Sequence, residues 1–264
     1  MAAVEEEAAP GGYLAQDFAP GAYARSQAEK AAYELQKKCD HLRDRLWQAV
    51  ELGDSEAVFL VIRHVERDDN IESMTDIIEP MTPDGVTPLY IACKNGQTES
   101  AKLLMDAGAA ASRTTKKGRL TPLFAACQQG RAEVVEMLLR QKDVRIELRT
   151  TDGRTALYAA AEGGNPECIK LLLDRGAKVD TRRDDRSTPL IVASYFGHSA
   201  AVEVLLAAGA KLKPRDGDGT ALENARRQKH ERCVELLEAA WKERGVLEPV
   251  DEDDEGEAGL IQIS

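Results

Sequence analysis

Five threonines at near-constant spacing limit what this chain can fold into more than any other feature. Thr87, Thr121, Thr155, Thr188 and Thr220 follow one another at intervals of 34, 34, 33 and 32 residues. Each sits near the start of a copy of one unit. In the best-preserved copy, Asp152 to Ala177, Asp152-Gly153 is turn chemistry, because glycine tolerates positive φ. Thr155 is placed to cap a helix. Ala156, Leu157 and Ala159 to Ala161 make that helix one of small residues, able to approach its neighbours closely. Gly163-Gly164 breaks it, and Pro166 suits the first turn of a second helix. Ile169, Leu172 and Leu173 give the second helix an apolar face at helical spacing. Gly176 stands where a left-handed C-cap belongs. Such a unit buries little alone, so its copies must stack to share one core.

Copies of the unit start at Asp84, Gly118 and Asp185, and a frayed copy starts at Asp218. Thr87-Pro88-Leu89, Thr121-Pro122-Leu123 and Thr188-Pro189-Leu190 carry the T-P-L of a T-P-L-H-x-A signature, and the period is close to 33 residues. In these residues the chain resembles the ankyrin repeat family, over roughly Asp84 to Ala239 and more loosely from Leu42. The resemblance implies an all-α ankyrin-repeat solenoid: stacked helix-turn-helix units with β-turn fingers, preceded by a long N-terminal helix. Units are expected at 84–109, 117–146, 152–179 and 185–212, with a degenerate cap at 42–65 and a capping unit at 218–239. The family's histidine is replaced here by Tyr90, Phe124, Tyr158, Ile191 and Glu223. Weaker polar tethering between units is therefore expected. The second unit lacks the closing Gly-Ala, and the last has lost a turn residue and its proline, as suits a terminal cap.

Outside the units, residues 1–23 read as a disordered acidic leader with spaced aromatics Tyr13, Phe18 and Tyr23. From about Arg25 to Leu52 no Gly or Pro interrupts a helical pattern, which makes 24–52 a long helix. Ala28, Ala32, Leu35, Cys39, Leu42, Leu46 and Ala49 form a seven-residue apolar repeat along it. That seam can pack onto the end of the solenoid or pair with another chain. Trp47 is placed to cover the first full repeat. Arg67 to Met81 reads as a connection without a unit of its own. Residues 245–264 read as a second disordered, acidic segment, and Leu260-Ile261-x-Ile263 beside its acids resembles a SUMO-interacting motif.

The net charge of −11 belongs to the ends. Residues 1–17 carry four acids and no base, and 248–264 carry seven and no base, which leaves the stretch between them neutral. A neutral body argues against a nucleic-acid binder, which needs a basic footprint. No apolar run approaches membrane-spanning length, and the acidic, arginine-free start suits neither a secretory nor a mitochondrial leader. Cytosol or nucleus is the expected location. Cys39, Cys93, Cys127, Cys168 and Cys233 contain no C-x-x-C pair and read as small buried residues. Stacked helices lie roughly 8–10 Å apart, too far for Cys93 and Cys127 to bridge. No nucleophile motif, P-loop or Cys/His cluster is present, and His41, His64, His198 and His230 are scattered. No enzyme activity and no cofactor or metal is expected.

What remains is recognition of a protein partner. The resemblance implies a concave binding face built from finger tips and from the exposed ends of the first helices. The pairs at those ends are Lys94/Asn95, Gln128/Gln129, Glu162/Gly163, Tyr195/Phe196 and Arg227/Gln228. Two large aromatics stand where the other units are polar or small. The readings for Tyr195 and Phe196 are an interface anchor, or a ring (Phe196 beside Gly197) folded onto a neighbouring helix. The fingers add a modest basic rim: Lys116, Lys117 and Arg119 with Arg113, then Arg154, then Arg186 with its arginine neighbours. Such a rim suits an acidic partner segment, with the chain's own C-terminal acids as one candidate. The alternatives are a chaperone or inhibitor shielding a basic client with acidic tails, and a structural subunit docked through the N-terminal helix. The oligomeric state is open.

Overall fold

The computed structural model describes residues 20–71, 73–79 and 81–245. Among them lie thirteen helices. The leader to residue 19, with Tyr13 and Phe18, and residues 246–264, with the acidic run and the Leu260-Ile261-x-Ile263 motif, lie outside the described residues.

The long helix α1 spans Pro20–Leu52 and α2 spans Ser55–Glu66. Helix α1 thus begins at Pro20, ahead of Arg25 and inside the stretch expected as leader, because proline's fixed φ suits a first helical turn. A short helix α3, Met74–Ile78, follows. Five helix pairs come next. They are α4 Pro88–Asn95 with α5 Thr98–Asp106, α6 Pro122–Gln128 with α7 Ala132–Leu139, and α8 Ala156–Glu162 with α9 Pro166–Asp174. The last two are α10 Pro189–Tyr195 with α11 Ser199–Ala207, and α12 Ala221–Arg227 with α13 Glu231–Glu243.

Each repeat threonine starts its first helix. Thr87, Thr121, Thr155, Thr188 and Thr220 are N-caps whose hydroxyls accept the backbone N–H three residues on. Three of them are followed by a proline at N1, whose missing N–H costs nothing there. Thr220 lacks the proline and has a capping box with Glu223 instead. First helices pack in one row, α1, α4, α6, α8, α10 and α12, and second helices in another, α2, α5, α7, α9, α11 and α13. The first row closes on small residues: Ala92, Ala126, Ala160, Ala193 and Ala225 are fully buried. The second row contributes Leu104, Leu138, Leu172, Leu205 and Leu237, all fully buried, each supplying about 1.5–3 kcal/mol of burial.

The two rows are held in register by polar tethers that the sequence pattern does not announce. The residue after each inter-helix break reaches back to a carbonyl at the end of the preceding unit's first helix. Gln97 Nε2 donates to Val50 O at 2.7 Å, Arg131 Nε to Lys94 O at 3.3 Å and Asn165 Nδ2 to Cys127 O at 2.9 Å. His198 Nε2 and His230 Nε2 sit 3.1 and 3.0 Å from Glu162 O and Tyr195 O. The break glycine of the preceding unit makes the room for each tether: a Cβ on Gly164 would lie 2.5 Å from His198 Nδ1, and its φ is +67°. In the last unit no further tether arrives, and Lys229 stands in that place at φ +60°. The fingers add a second ladder, with Lys116 N donating to Asp84 O at 2.8 Å and Thr151 N to Gly118 O at 3.0 Å. On the other side, Lys178 N donates to Glu147 and Lys211 N to Asp180, both at 2.9 Å.

Three expectations change. Loss of the family histidine does not leave the units untethered, since the post-glycine residues carry that role. In addition the buried Tyr158 hydroxyl lies 3.0 Å from Ser187 Oγ in the next unit. The stretch 67–81 is more than a connection, because Ser73 caps α3, which drives Ile77 and Ile78 into full burial against α1 and α2. The seam of α1 packs in cis only through its C-terminal half. Leu42, Leu46 and Ala49 are buried, Leu35 and Cys39 half-buried, Ala32 exposed. Trp47 is half-buried. Tyr33, on the projecting half, is 67% exposed.

Asn165→Ala removes the tether to the Cys127 and Gln128 carbonyls, of which the first keeps the Gly130 N–H at 3.3 Å, so it should cost about 1 kcal/mol in a denaturant melt, whereas a loss under about 0.3 kcal/mol would show that the tether contributes nothing. Lys38 on α1 grips Asp68 after α2, and with Asn70 it holds that carboxyl down at about 2. A depressed pKa means the contact's contribution is present above about pH 4 and fades as pH falls toward 2. NMR titration of Asp68 should show the low midpoint, and Lys38→Met should return it toward the ordinary carboxylate range.

Candidate functional site

Because the first helices lie side by side, their C-terminal ends form a row across one face. Lys94, Asn95, Gln129, Arg227 and Gln228 are exposed along it, and Gln128 and Glu162 are half-buried. The row is stitched together locally. Gln128 Nε2 donates to Glu162 Oε2 at 3.4 Å, and Arg154 reaches the same oxygen at 3.0 Å. Arg227 pairs with Asp218 at 3.1 Å.

Tyr195 and Phe196, at the end of α10, interrupt this polar row. They are 40% and 49% exposed. Their rings meet edge to face, with centroids 5.1 Å apart and planes at 87°. Phe196 does not fold down beside Gly197. It is the more exposed of the two, because His198 fills the space below: its ring stacks on Phe196 at 6.1 Å while its Nε2 holds Glu162 O.

The basic rim divides into free and occupied cations. Arg113 is paired with Glu79 at 2.5 Å. Arg154 pairs with Asp152 at 2.9 Å and Glu162 at 3.0 Å and lies 5.4 Å over the Phe124 ring, so it is a cross-brace between units and no free rim charge. Lys116, Lys117, Arg119 and Arg186 are exposed and form no ion pair among the described residues. Arg119 and Arg186 also hold positive φ, 54° and 71°, at the finger position where two sister units carry Gly85 and Gly153.

One cluster escaped the sequence reading. Arg183 bridges Asp185 at 2.9 Å and Asp152 at 3.3 Å, across two fingers. Burial by itself would raise the Asp152 carboxyl; the Thr150 hydroxyl together with Arg154 and Arg183 holds it below its usual value instead. Asp185 is likewise lowered, by Ser187 and Arg183 against the pull of burial. The mixed run of arginines and aspartates at 182–186 was the available signal, but in sequence it reads as ordinary turn charge.

The cysteines are free, and all but Cys39 are buried. Burial raises the Cys93 and Cys127 thiols well above their ordinary value and takes Cys168 to about 11, which makes them poor nucleophiles. Among the described residues no group of His, Cys, Asp and Glu is arranged to hold a metal ion. No described helix is long and apolar enough to cross a membrane.

The family model for ankyrin repeats (3 copies) matches residues 46–150 and 142–216. The chain belongs to the ankyrin repeat family. The crystal structure of EF0377, an ankyrin repeat protein, is similar over 74% of this chain and 96% of that one, with a TM-score of 0.62 and 27% sequence identity. Comparison with curated proteins gives no match. Ankyrin repeats are in general protein–protein interaction modules, typically without catalytic activity.

A non-glycine residue at a left-handed position costs of order 1 kcal/mol. Arg186→Gly should therefore leave the protein as stable or stabilise it by up to about 1 kcal/mol. A destabilisation beyond about 1 kcal/mol in thermal or denaturant unfolding would show that the Arg186 side chain supports the fold.

Proposed function

We propose that the chain is an adaptor or scaffold that binds a protein partner on the concave ankyrin surface, working by recognition rather than catalysis. The observation that carries this reading is the exposed Tyr195/Phe196 pair in an otherwise polar row. Large aromatics on a rigid frame bury much area at little entropic cost, which is why they dominate interface energetics. The polar neighbours in the row, Lys94, Asn95, Gln128, Gln129, Glu162 and Arg227, would serve as its rim. The unpaired Lys116, Lys117, Arg119 and Arg186 suit acidic side chains of the same partner. Arg154, spent on Asp152 and Glu162, supports the surface from beneath.

A second reading, docking into a larger assembly through the N-terminal end, has its own support. Tyr33 projects from α1, Leu52 is 76% exposed, and Phe59 and Leu60 face outward on α2. A terminal repeat whose outer face is apolar invites a neighbour. Shielding of a basic client by the acidic ends rests on residues outside those described. A cytosolic or nuclear location is part of the proposal, since a binding module with free, buried cysteines suits a reducing compartment.

The test is affinity capture from the native cell with the wild-type chain beside Tyr195→Ala/Phe196→Ala, washed at low and high salt. Under the concave-face reading the double variant loses the partner, and the identified complex weakens at least tenfold in a direct titration. A partner retained in full by the variant moves the interface to the α1/α2 end. Retention there through a high-salt wash would mark an apolar contact, because exposed ion pairs are screened.

A further inference from the structure

The concave face contains a built pocket, and its chemistry selects one kind of side chain. Between the ends of α8 and α10 and the last finger lies a cavity of about 190 Å³, lined in part by Glu162, Arg183, Asp185, Tyr195, Phe196 and Asp216. That is smaller than the roughly 300–1,000 Å³ of a typical small-molecule site, and suits a single long side chain presented by a bound segment.

Charges around the cavity are unevenly satisfied. Arg183, the cation in that lining, is fully occupied: one terminal nitrogen holds Asp185 at 2.9 Å and the other Asp152 at 3.3 Å. Asp185 is engaged too, by Arg183 and by Ser187, but Asp216 and Glu162 are not fully engaged. Asp216 builds its turn with one oxygen alone. That Oδ1 accepts the backbone N–H of Asp218 at 2.8 Å and of Gly219 at 3.0 Å, and the Asn224 amide at 3.4 Å. Its Oδ2 has no partner among the described residues. Glu162 uses Oε2 for both Arg154 and Gln128, and its Oε1 has none. Two unengaged carboxylate oxygens thus share a cavity with two exposed aromatic rings. A cation satisfies both features at once, through charge-assisted hydrogen bonds to the carboxylates and attraction to the ring faces. An acidic side chain would meet repulsion there, and an aliphatic one would leave the carboxylates unpaired.

We propose that the Tyr195/Phe196 pocket takes a basic side chain of the bound partner segment, arginine before lysine, with Asp216 and Glu162 as its counter-charges. Arginine is favoured because its planar guanidinium can stack on a ring and present paired N–H donors together. This rests on the reading that the concave face binds protein. Three of the four free rim cations, Lys116, Lys117 and Arg119, lie two units away toward the N-terminus, while the fourth, Arg186, stands on the finger of α10's own unit.

The test is a selection of random twelve-residue phage-displayed peptides on the full chain, with counter-selection on Tyr195→Ala/Phe196→Ala. One enriched peptide is then titrated beside its Arg→Gln version. Expected is enrichment of Arg or Lys at one position and at least a tenfold loss on Arg→Gln. On Asp216→Asn, which keeps Oδ1 for the turn, the preference for Arg over Gln should shrink to under about threefold, with thermal unfolding unchanged. Glu162→Gln gives the same comparison should Asp216→Asn not fold. Ring-dependent peptides with no basic enrichment, or an Arg→Gln change without effect, would overturn the pocket assignment and leave concave-face binding standing. Selection yielding no ring-dependent peptide would overturn both.

Discussion

Each repeat leaves a carbonyl at the end of its first helix, and the next repeat supplies the donor for it. The last carbonyls of any α-helix lack an internal partner, and helices of seven or eight residues are nearly all end. Here Gln97, Arg131, His198 and His230 take one such carbonyl apiece, and Asn165 takes two. The bond does two things. It gives a helix-end carbonyl at the junction a side-chain donor, and it fixes where one first helix ends relative to its neighbour. The candidate binding row is made of those helix ends, so its spacing is set by the tethers as much as by the packing of alanines behind it. A close approach of this kind also demands a residue without Cβ at the inter-helix break of the preceding unit, where the donor's side chain arrives. That is why glycine holds the place in every unit with a successor, and lysine in the unit without one.

Much of this fold was legible in the chain because it repeats a local rule. Threonine as N-cap, proline at N1 and a leucine stripe on the second helix are each decided within one unit, and the structure places them as expected. The tethers were not legible. Their chemistry changes from glutamine to arginine to asparagine to histidine, and only the donated hydrogen is common. A reading that looked for the family histidine therefore predicted weak tethering, while the bonds had moved to a different position. Helix α3 was missed for a related reason. Its five residues are too few to show a period, and burial of Ile77 and Ile78 depends on α1 and α2 arriving from elsewhere in the chain.

The candidate binding row was legible to a different degree. Exposure of Tyr195 and Phe196 followed from their register at the end of a first helix, since the same register is polar in the sister units. Which cations were free did not follow. Arg154 and Arg186 look alike in sequence, one residue apart in repeat register. One is braced by Asp152, Glu162 and the Phe124 ring, and the other stands clear at a strained finger tip. Arg154's ion partners lie two and eight residues away, but its ring contact with Phe124 and the Arg183–Asp152 pair join residues some 30 positions apart, which no local pattern carries.

Strain and pairing together suggest why the face is polarised. Sister fingers have glycine where Arg119 and Arg186 adopt positive φ, so the cheaper backbone solution exists within the same chain. Keeping an arginine there is a cost that the fold does not require, and strained residues of this sort concentrate where a surface is used. Three of the four free cations, Lys116, Lys117 and Arg119, lie on the second unit's finger and Arg186 on the fourth's, while the unengaged oxygens of Glu162 and Asp216 lie beside the aromatic pair near the other end of the row. With stacked helices roughly 8–10 Å apart, the two ends are separated by about 20 Å, a distance that some six residues of extended chain cover. On the proposed reading, a partner segment with acids at one end and a basic residue about six positions away would fit in one direction and be repelled in the other. Orientation, which a groove of alanines and glutamines could not impose, would then come from charge.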